Sequence, residues 1–249
     1  MKVGIMQPYF FPYLGYWQLM LYVDVWVFFD EAQFKKRSWM TRNRILHNDP
    51  KKQTQLINIG HLKSHLRDPI KDINVSQSNQ WRDTILRKMD VYRQLKAPFF
   101  YPVFSLVEKI IFSNAESITE QALIMQREIC KYLGVGCSTL ISSEMDYDRE
   151  NAAEPGDWAL EISKSLHASE YVNPPGGLAI FDELAFKKSY IDLRFLNTSF
   201  VEYKQATRDF VPSLSIIDLL MFNSVKSVLN MLKQDFQILE KESLIQEAN

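Results

Sequence analysis

The opening of the chain restricts the fold more than any other part of it. Val3–Met6 is a short apolar run that stops at Gln7-Pro8, and Val25–Phe29 is a second one that stops at Asp30. Between them Leu14, Trp17, Leu21 and Tyr22 recur at helical spacing. Pro8 and Pro12 forbid a helix in the segment they bracket and favour an extended loop. Strands that are apolar on both faces are the strands of a buried parallel sheet. The order strand, loop, helix, strand therefore predicts the start of an open α/β sheet. In such a sheet the polar residues just past the strand ends gather at one edge, which is where ligands bind.

The rest of the chain keeps this alternation. Residues Gln53–Ile59 alternate as a strand, and Ile70, Ile73 and Val75 suit a short one. The polar stretch Glu31–His47 reads as irregular. Helical spacing runs over Trp81–Gln94, Val103–Phe112 and Thr119–Leu133, the last closed by Gly134. Ser138–Ile141 is a strand, Asp157–Leu166 a helix capped by Asp157, and Glu170–Val172 a strand entering the loop Asn173-Pro174-Pro175-Gly176-Gly177. A helix over Phe181–Lys188, a strand over Ile191–Leu196 and helices opening at Ser215 and Ser224 follow. The last fifteen residues, rich in Gln, Glu and Lys, read as a surface helix or fraying tail. The expectation is one α/β domain over residues 1–249. Its open sheet is mostly parallel, Rossmann-like or nucleotidyltransferase-like in topology, and a helical subdomain is inserted at about 80–133.

Charge and cysteine content narrow the function classes. A formal charge of −1 supplies no global field for nucleic acid or an anionic membrane. Cys130 and Cys137 are too few for a disulfide framework and read as reduced, packed thiols. No signal peptide and no apolar run of 18 or more residues is visible, so the cytoplasm is the expected compartment and no membrane insertion is expected. His61 and His65 have helical metal spacing, but no nearby carboxylate or cysteine completes a set, and no metal site is predicted.

The candidate site residues lie in four stretches. Gln7 stands at the first strand end with Tyr9 beyond it, among more aromatics than one strand and one helix need for packing. Asp30 stands at the second strand end with Gln33 after it, and is the candidate base. Arg37, Trp39, Arg42, Asn43 and Arg44 then combine guanidinium forks suited to phosphate or carboxylate with an indole that can stack on a planar ring. Asn173, Gly176 and Gly177 form a loop whose backbone N–H groups can cradle an anion, or an ordinary tight turn. Tyr203 and Gln205 near a strand end, and Asp218 in a Ser215–Asp218 capping pattern, form the last group. No Ser-His-Asp or Cys-His order supports a covalent mechanism. The layout near the first strand is that of nucleotidyltransferase folds, but Tyr13-Leu14-Gly15-Tyr16 stands where those carry His-x-Gly-His, so adenylyl transfer by that route lacks both histidines.

Taken together, Met6–Leu19, Asp30–Leu46, Tyr171–Gly177, Phe195–Gln205 and Phe210–Leu220 resemble the WbqC-like protein family, in family order over nearly the whole chain. The combination of the Met-Gln-Pro start, the Asn-Pro-x-Gly-Gly loop and the Leu-Ser-Ile-Ile-Asp ending carries the likeness. The resemblance implies a bacterial cytoplasmic protein of O-antigen or other surface-polysaccharide biosynthesis, acting near amino sugars. With the polar cluster at the strand ends, the leading expectation in that setting is a transferase that forms an amide on the amine of a nucleotide-linked amino sugar. The donor would be a thioester, on an acyl carrier protein or coenzyme A, with Asp30 and Gln7 at the chemistry. A ligand-binding or scaffold protein of the same pathway, and an ATP-using nucleotidyltransferase relative, are the alternatives.

Overall fold

The computed structural model describes residues 1–249 apart from 50, 66, 200, 201, 208, 248 and 249; two of these, Phe200 and Val201, fall within the family-like stretch Phe195–Gln205. The chain begins with β1 (Lys2–Met6), α1 (Leu14–Tyr22) and β2 (Val25–Phe28), as the apolar runs dictate. A hairpin, β3 (Arg42–Leu46) and β4 (Thr54–Asn58), comes next, followed by helices α2 (Asn79–Gln94), α3 (Phe100–Ile111) and α4 (Ile118–Leu133). Then come β5 (Thr139–Ile141), α5 (Pro155–Ser165), β6 (Glu170–Asn173), α6 (Glu183–Lys188) and β7 (Asp192–Thr198). The chain closes with α7 (Ile216–Phe222), α8 (Val225–Gln234), β8 (Phe236–Leu239) and α9 (Lys241–Glu247).

Six strands make one sheet in the order β5-β2-β1-β6-β7-β8, parallel throughout except for β8, and β3-β4 stand apart as an antiparallel pair. This is a mixed α/β fold of Rossmann-like class, with the first strand at its centre. β1 is buried because it pairs on both sides, Val3 with Val25 and with Tyr171. Gly4 lets the Trp26 ring of β2 lie against β1; a Cβ there would stand 3.2 Å from the indole. Gly15 serves α1 in the same way, since a Cβ would meet Thr198 Oγ1 of β7 at 2.3 Å. One apolar cluster fills the face covered by α1–α4, α7 and α8, with Trp17, Trp26, Phe28 and Tyr92 fully buried. A second, built on Val27, Ile162, Tyr171, Phe186 and Phe195, fills the other face under α5 and α6.

Five local expectations change. Arg42–Leu46 is a strand rather than irregular chain, because Asn43, Ile45 and Leu46 are buried while Arg42 and Arg44 alternate outward. Residues Ile70–Asp72 form a 3-10 turn instead of a strand. Glu154, not Asp157, is the N-cap of α5; Asp157 sits three positions on and closes a capping box back to the Glu154 N–H at 2.9 Å. The tail contains β8, which pairs Phe195 with Leu239 and Thr198 with Phe236, so part of it belongs to the sheet. Helix α3 also begins earlier than its apolar spacing suggested; Pro102 falls in its first turn, where a missing N–H costs nothing.

Candidate ligand-binding site

The chain leaves β1 towards β2 and β5 on one side, then returns through α5 to β6 on the other. The connections after β1 and β6 therefore diverge, and a crevice opens beyond their carboxyl ends. A cavity of about 480 Å³ occupies that position. The loop after β1 supplies Gln7, Tyr9 and Tyr13, the loop after β6 supplies Asn173–Gly177, and the first turns of α5 supply Pro155, Trp158 and Ala159. Phe29, Trp39 and Phe181 complete its walls.

The lining has a definite chemical character. Tyr9 stacks on Tyr16 with ring centres 5.3 Å apart, and Phe29 meets Trp158 at the same separation. The Tyr16 hydroxyl donates to the Gln7 carbonyl at 2.7 Å, which fixes the start of the loop. Burial raises the phenol pKa values of Tyr9 and Tyr13, so both remain neutral hydroxyls. No Asp, Glu, Lys, Arg or His stands among the described lining residues. The side-chain amide of Gln7 has no protein hydrogen-bond partner among the described residues and is available to a ligand. Asn173 is buried, accepts from the Tyr171 hydroxyl at 3.0 Å and donates to the Pro174 carbonyl at 2.9 Å. Gly177 is required beside it, because a Cβ would stand 2.0 Å from Asn173 Nδ2; at Gly176 a Cβ meets nothing within 4 Å.

Of the candidates from the sequence, Gln7, Tyr9, Trp39, Asn173, Gly176 and Gly177 line this crevice. The others lie elsewhere. Asp30 is 2% exposed; its carboxylate accepts from Ser142 Oγ at 3.0 Å, Ser143 N–H at 3.1 Å and Ser143 Oγ at 2.9 Å. Both oxygens are thus committed to the turn after β5, outside the lining. Asp30→Asn is expected to cost about 1–2 kcal/mol in a urea titration, through one weakened acceptor in a buried site. Ligand affinity at the crevice should stay within twofold; a loss beyond tenfold would return Asp30 to the site. Gln33 is exposed and bridges to Pro69. Arg37 is exposed on the turn before Trp39, and Arg42 is half-buried on β3. Arg44 donates to the Ser213 carbonyl at 3.2 Å and lies 5.8 Å above the Trp39 ring. Asn43 is buried and donates to the carbonyls of Phe10 and Phe11 at 3.1 and 2.9 Å.

Tyr203, Gln205 and Asp218 come together, but in the interior. The fully buried Asp218 carboxylate accepts from Tyr92 Oη at 2.8 Å, Tyr203 Oη at 2.6 Å and Gln205 Nε2 at 2.9 Å. Burial outweighs these three donors and pushes its pKa up to about 6. Gln205 also pairs with both backbone groups of Val211, at 2.7 and 2.9 Å, so the network fastens the 203–211 segment to α2 and α7.

Tyr13, Tyr16, Phe29, Trp158 and Phe181 line the crevice and were not among the sequence candidates. Trp158 carried a usable signal: it follows Pro155-Gly156 in the first turn of the helix that leads into β6, the position that faces a switch-point crevice. Among the described residues, no group of three or more His, Cys, Asp or Glu could hold a metal ion, and no helix is long and apolar enough to cross a membrane.

The family model described as WbqC-like protein family matches residues 7–229. The uncharacterized protein Rv1507c of Mycobacterium tuberculosis is 28% identical over 228 residues, which cover 88% of this chain and 92% of that protein. No solved structure matches the chain.

Proposed function

This chain belongs to the WbqC-like protein family, and from that premise we propose that it is a transferase of bacterial surface-polysaccharide (O-antigen) synthesis. It holds the amino-sugar end of a nucleotide-linked sugar in the crevice and passes an acyl or aminoacyl group from a thioester to the sugar amine. One observation carries this reading: the crevice offers aromatic faces and uncharged hydrogen-bonding groups, with no Asp, Glu, Lys, Arg or His among the described lining residues. A sugar ring stacks its C–H faces on Tyr and Trp, and its hydroxyls pair with the Gln7 amide and the phenols of Tyr9 and Tyr13. In this reading the nucleotide diphosphate stays outside these walls, and the exposed guanidinium of Arg37, two residues before the lining Trp39, is its nearest candidate partner in sequence.

In this reading the amine lone pair attacks the thioester carbonyl carbon. The C–N bond forms, the C–S bond breaks, and the departing thiolate takes up, through solvent, the proton that the amine loses. Gln7 is the available donor for the carbonyl oxygen as it gains charge. Asp30 takes no part, and the acceleration comes from holding the two reactants together. A carrier-protein or coenzyme A thioester, like the nucleotide-sugar, would be met in the cytoplasm.

The test is to incubate the protein with UDP-glucosamine and acetyl-coenzyme A and to follow amide formation by mass spectrometry, with affinity measured calorimetrically. Gln7→Ala should weaken sugar binding about fivefold to tenfold, the value of one hydrogen bond, and slow turnover further. The lack of any Asp, Glu, His, Lys, Ser, Thr or Cys among the described lining residues favours a second reading, a binding protein of the same pathway; binding of the nucleotide-sugar without product over long incubation selects it.

A further inference from the structure

The loop between β1 and α1 turns at Phe11, whose φ of 42° lies in the left-handed region. A bulky side chain with a Cβ rarely adopts that conformation, and it persists only where surrounding contacts over-determine it. Here the turn has a clear effect. Phe10 and Phe11 enter the core, 4% and 0% exposed, while Tyr9 before them and Tyr13 after them line the crevice.

The contacts that hold the turn come from distant parts of the chain. Asn43 Nδ2 on β3 donates to the carbonyls of Phe10 and Phe11. Ser215 Oγ, ahead of α7, donates to the Phe11 carbonyl at 2.8 Å. The Phe11 N–H meets Met125 Sδ of α4 at 3.0 Å, and the Phe10 N–H donates to the Trp39 carbonyl at 2.8 Å. The Asn43 amide is itself oriented, since its Oδ1 accepts from the Arg44 N–H at 2.8 Å. With the oxygen so engaged, the nitrogen must face the two loop carbonyls.

We infer that Asn43 and Ser215 are positioning residues: they hold Phe11 in its left-handed turn and thereby set Tyr9 and Tyr13 as walls of the crevice. Neither residue lines the cavity. The functional part of the inference rests on the crevice being the ligand site; the structural part stands without it.

The experiment compares wild type, Asn43→Ala, Ser215→Gly and Ile45→Val by amide hydrogen exchange and by calorimetric titration with UDP-glucosamine. Ser215→Gly keeps a residue that tolerates the N-cap position and removes the bond to Phe11, so it serves if Asn43→Ala does not fold. Ile45→Val removes one buried methyl from the same strand and touches none of the loop bonds. Both test variants should speed exchange of the Phe10 and Phe11 amides at least tenfold relative to Ile45→Val, with amides of β6 unchanged, and should weaken UDP-glucosamine at least tenfold. Equal exchange at Phe10 and Phe11 in the test variants and Ile45→Val overturns the inference. If wild type binds no UDP-glucosamine, the amino-sugar reading falls while the exchange data still decide whether Asn43 and Ser215 set the turn. Faster exchange with undiminished binding overturns the functional part.

Discussion

Asp218→Ala should lower the stability of the protein by about 3–5 kcal/mol, read from urea unfolding. The carboxylate it removes is the shared acceptor of Tyr92, Tyr203 and Gln205 in a fully buried place. Each buried donor left without a partner costs on the order of 1–3 kcal/mol. The same group makes stability depend on pH. Its folded pKa of about 6 lies above the ordinary carboxylate value of 3.8. The folded state therefore binds the proton more tightly than the unfolded chain. The resulting stabilisation is fully present below about pH 4 and is lost as pH rises through about 6. From this one group the loss amounts to about 3 kcal/mol. Asp218→Asn cannot titrate, so the stability of wild type relative to this variant should fall by that amount between pH 3 and 7. A constant difference across the interval would show that Asp218 does not carry the shift.

Gly177→Ala should remove ligand binding at the crevice by a hundredfold or more and cost about 2–4 kcal/mol in stability. The added carbon would stand 2.0 Å from Asn173 Nδ2 and 2.8 Å from the Phe181 ring. Asn173 must then move, and its bonds to the Tyr171 hydroxyl and the Pro174 carbonyl break. Overpacking of this kind costs about 1–3 kcal/mol, to which an unpaired buried hydroxyl adds. Gly176→Ala is the control, because a Cβ there meets nothing; it should leave both stability and binding near wild type. Equal effects from the two substitutions would remove the steric argument.

The parts of this architecture that could be read from the chain are those whose signal is local. Val3–Met6, Val25–Phe29 and the Asn173–Gly177 stop carry their own apolar runs and breakers, and they foretell the central strands and the edge at which the crevice lies. The polar residues past those stops divide according to partners far away in sequence. Nothing beside Asp30 announces that Ser142 and Ser143, more than a hundred residues on, will take its carboxylate. Asn43 looks like a ligand-facing amide because it sits between two arginines, yet its burial on β3 turns it towards two backbone carbonyls. Tyr203, Gln205 and Asp218 do converge, around each other and Tyr92. Local pattern tells which residues are polar; only tertiary pairing tells whether that polarity is already spent.

The central place of β1 has a consequence for biogenesis. Its hydrogen-bonding edge towards β6 waits for residues about 170 positions further along. At translation rates of about 5–20 residues per second, that edge stays open for roughly 8–30 s after β1 leaves the ribosome. An apolar strand with a free edge is a template for wrong pairing. Nascent chains stalled before residue 170 should therefore be held by chaperones or clump together, whereas those released past β8, with α7 and α8 in place over the core, should become protease-resistant.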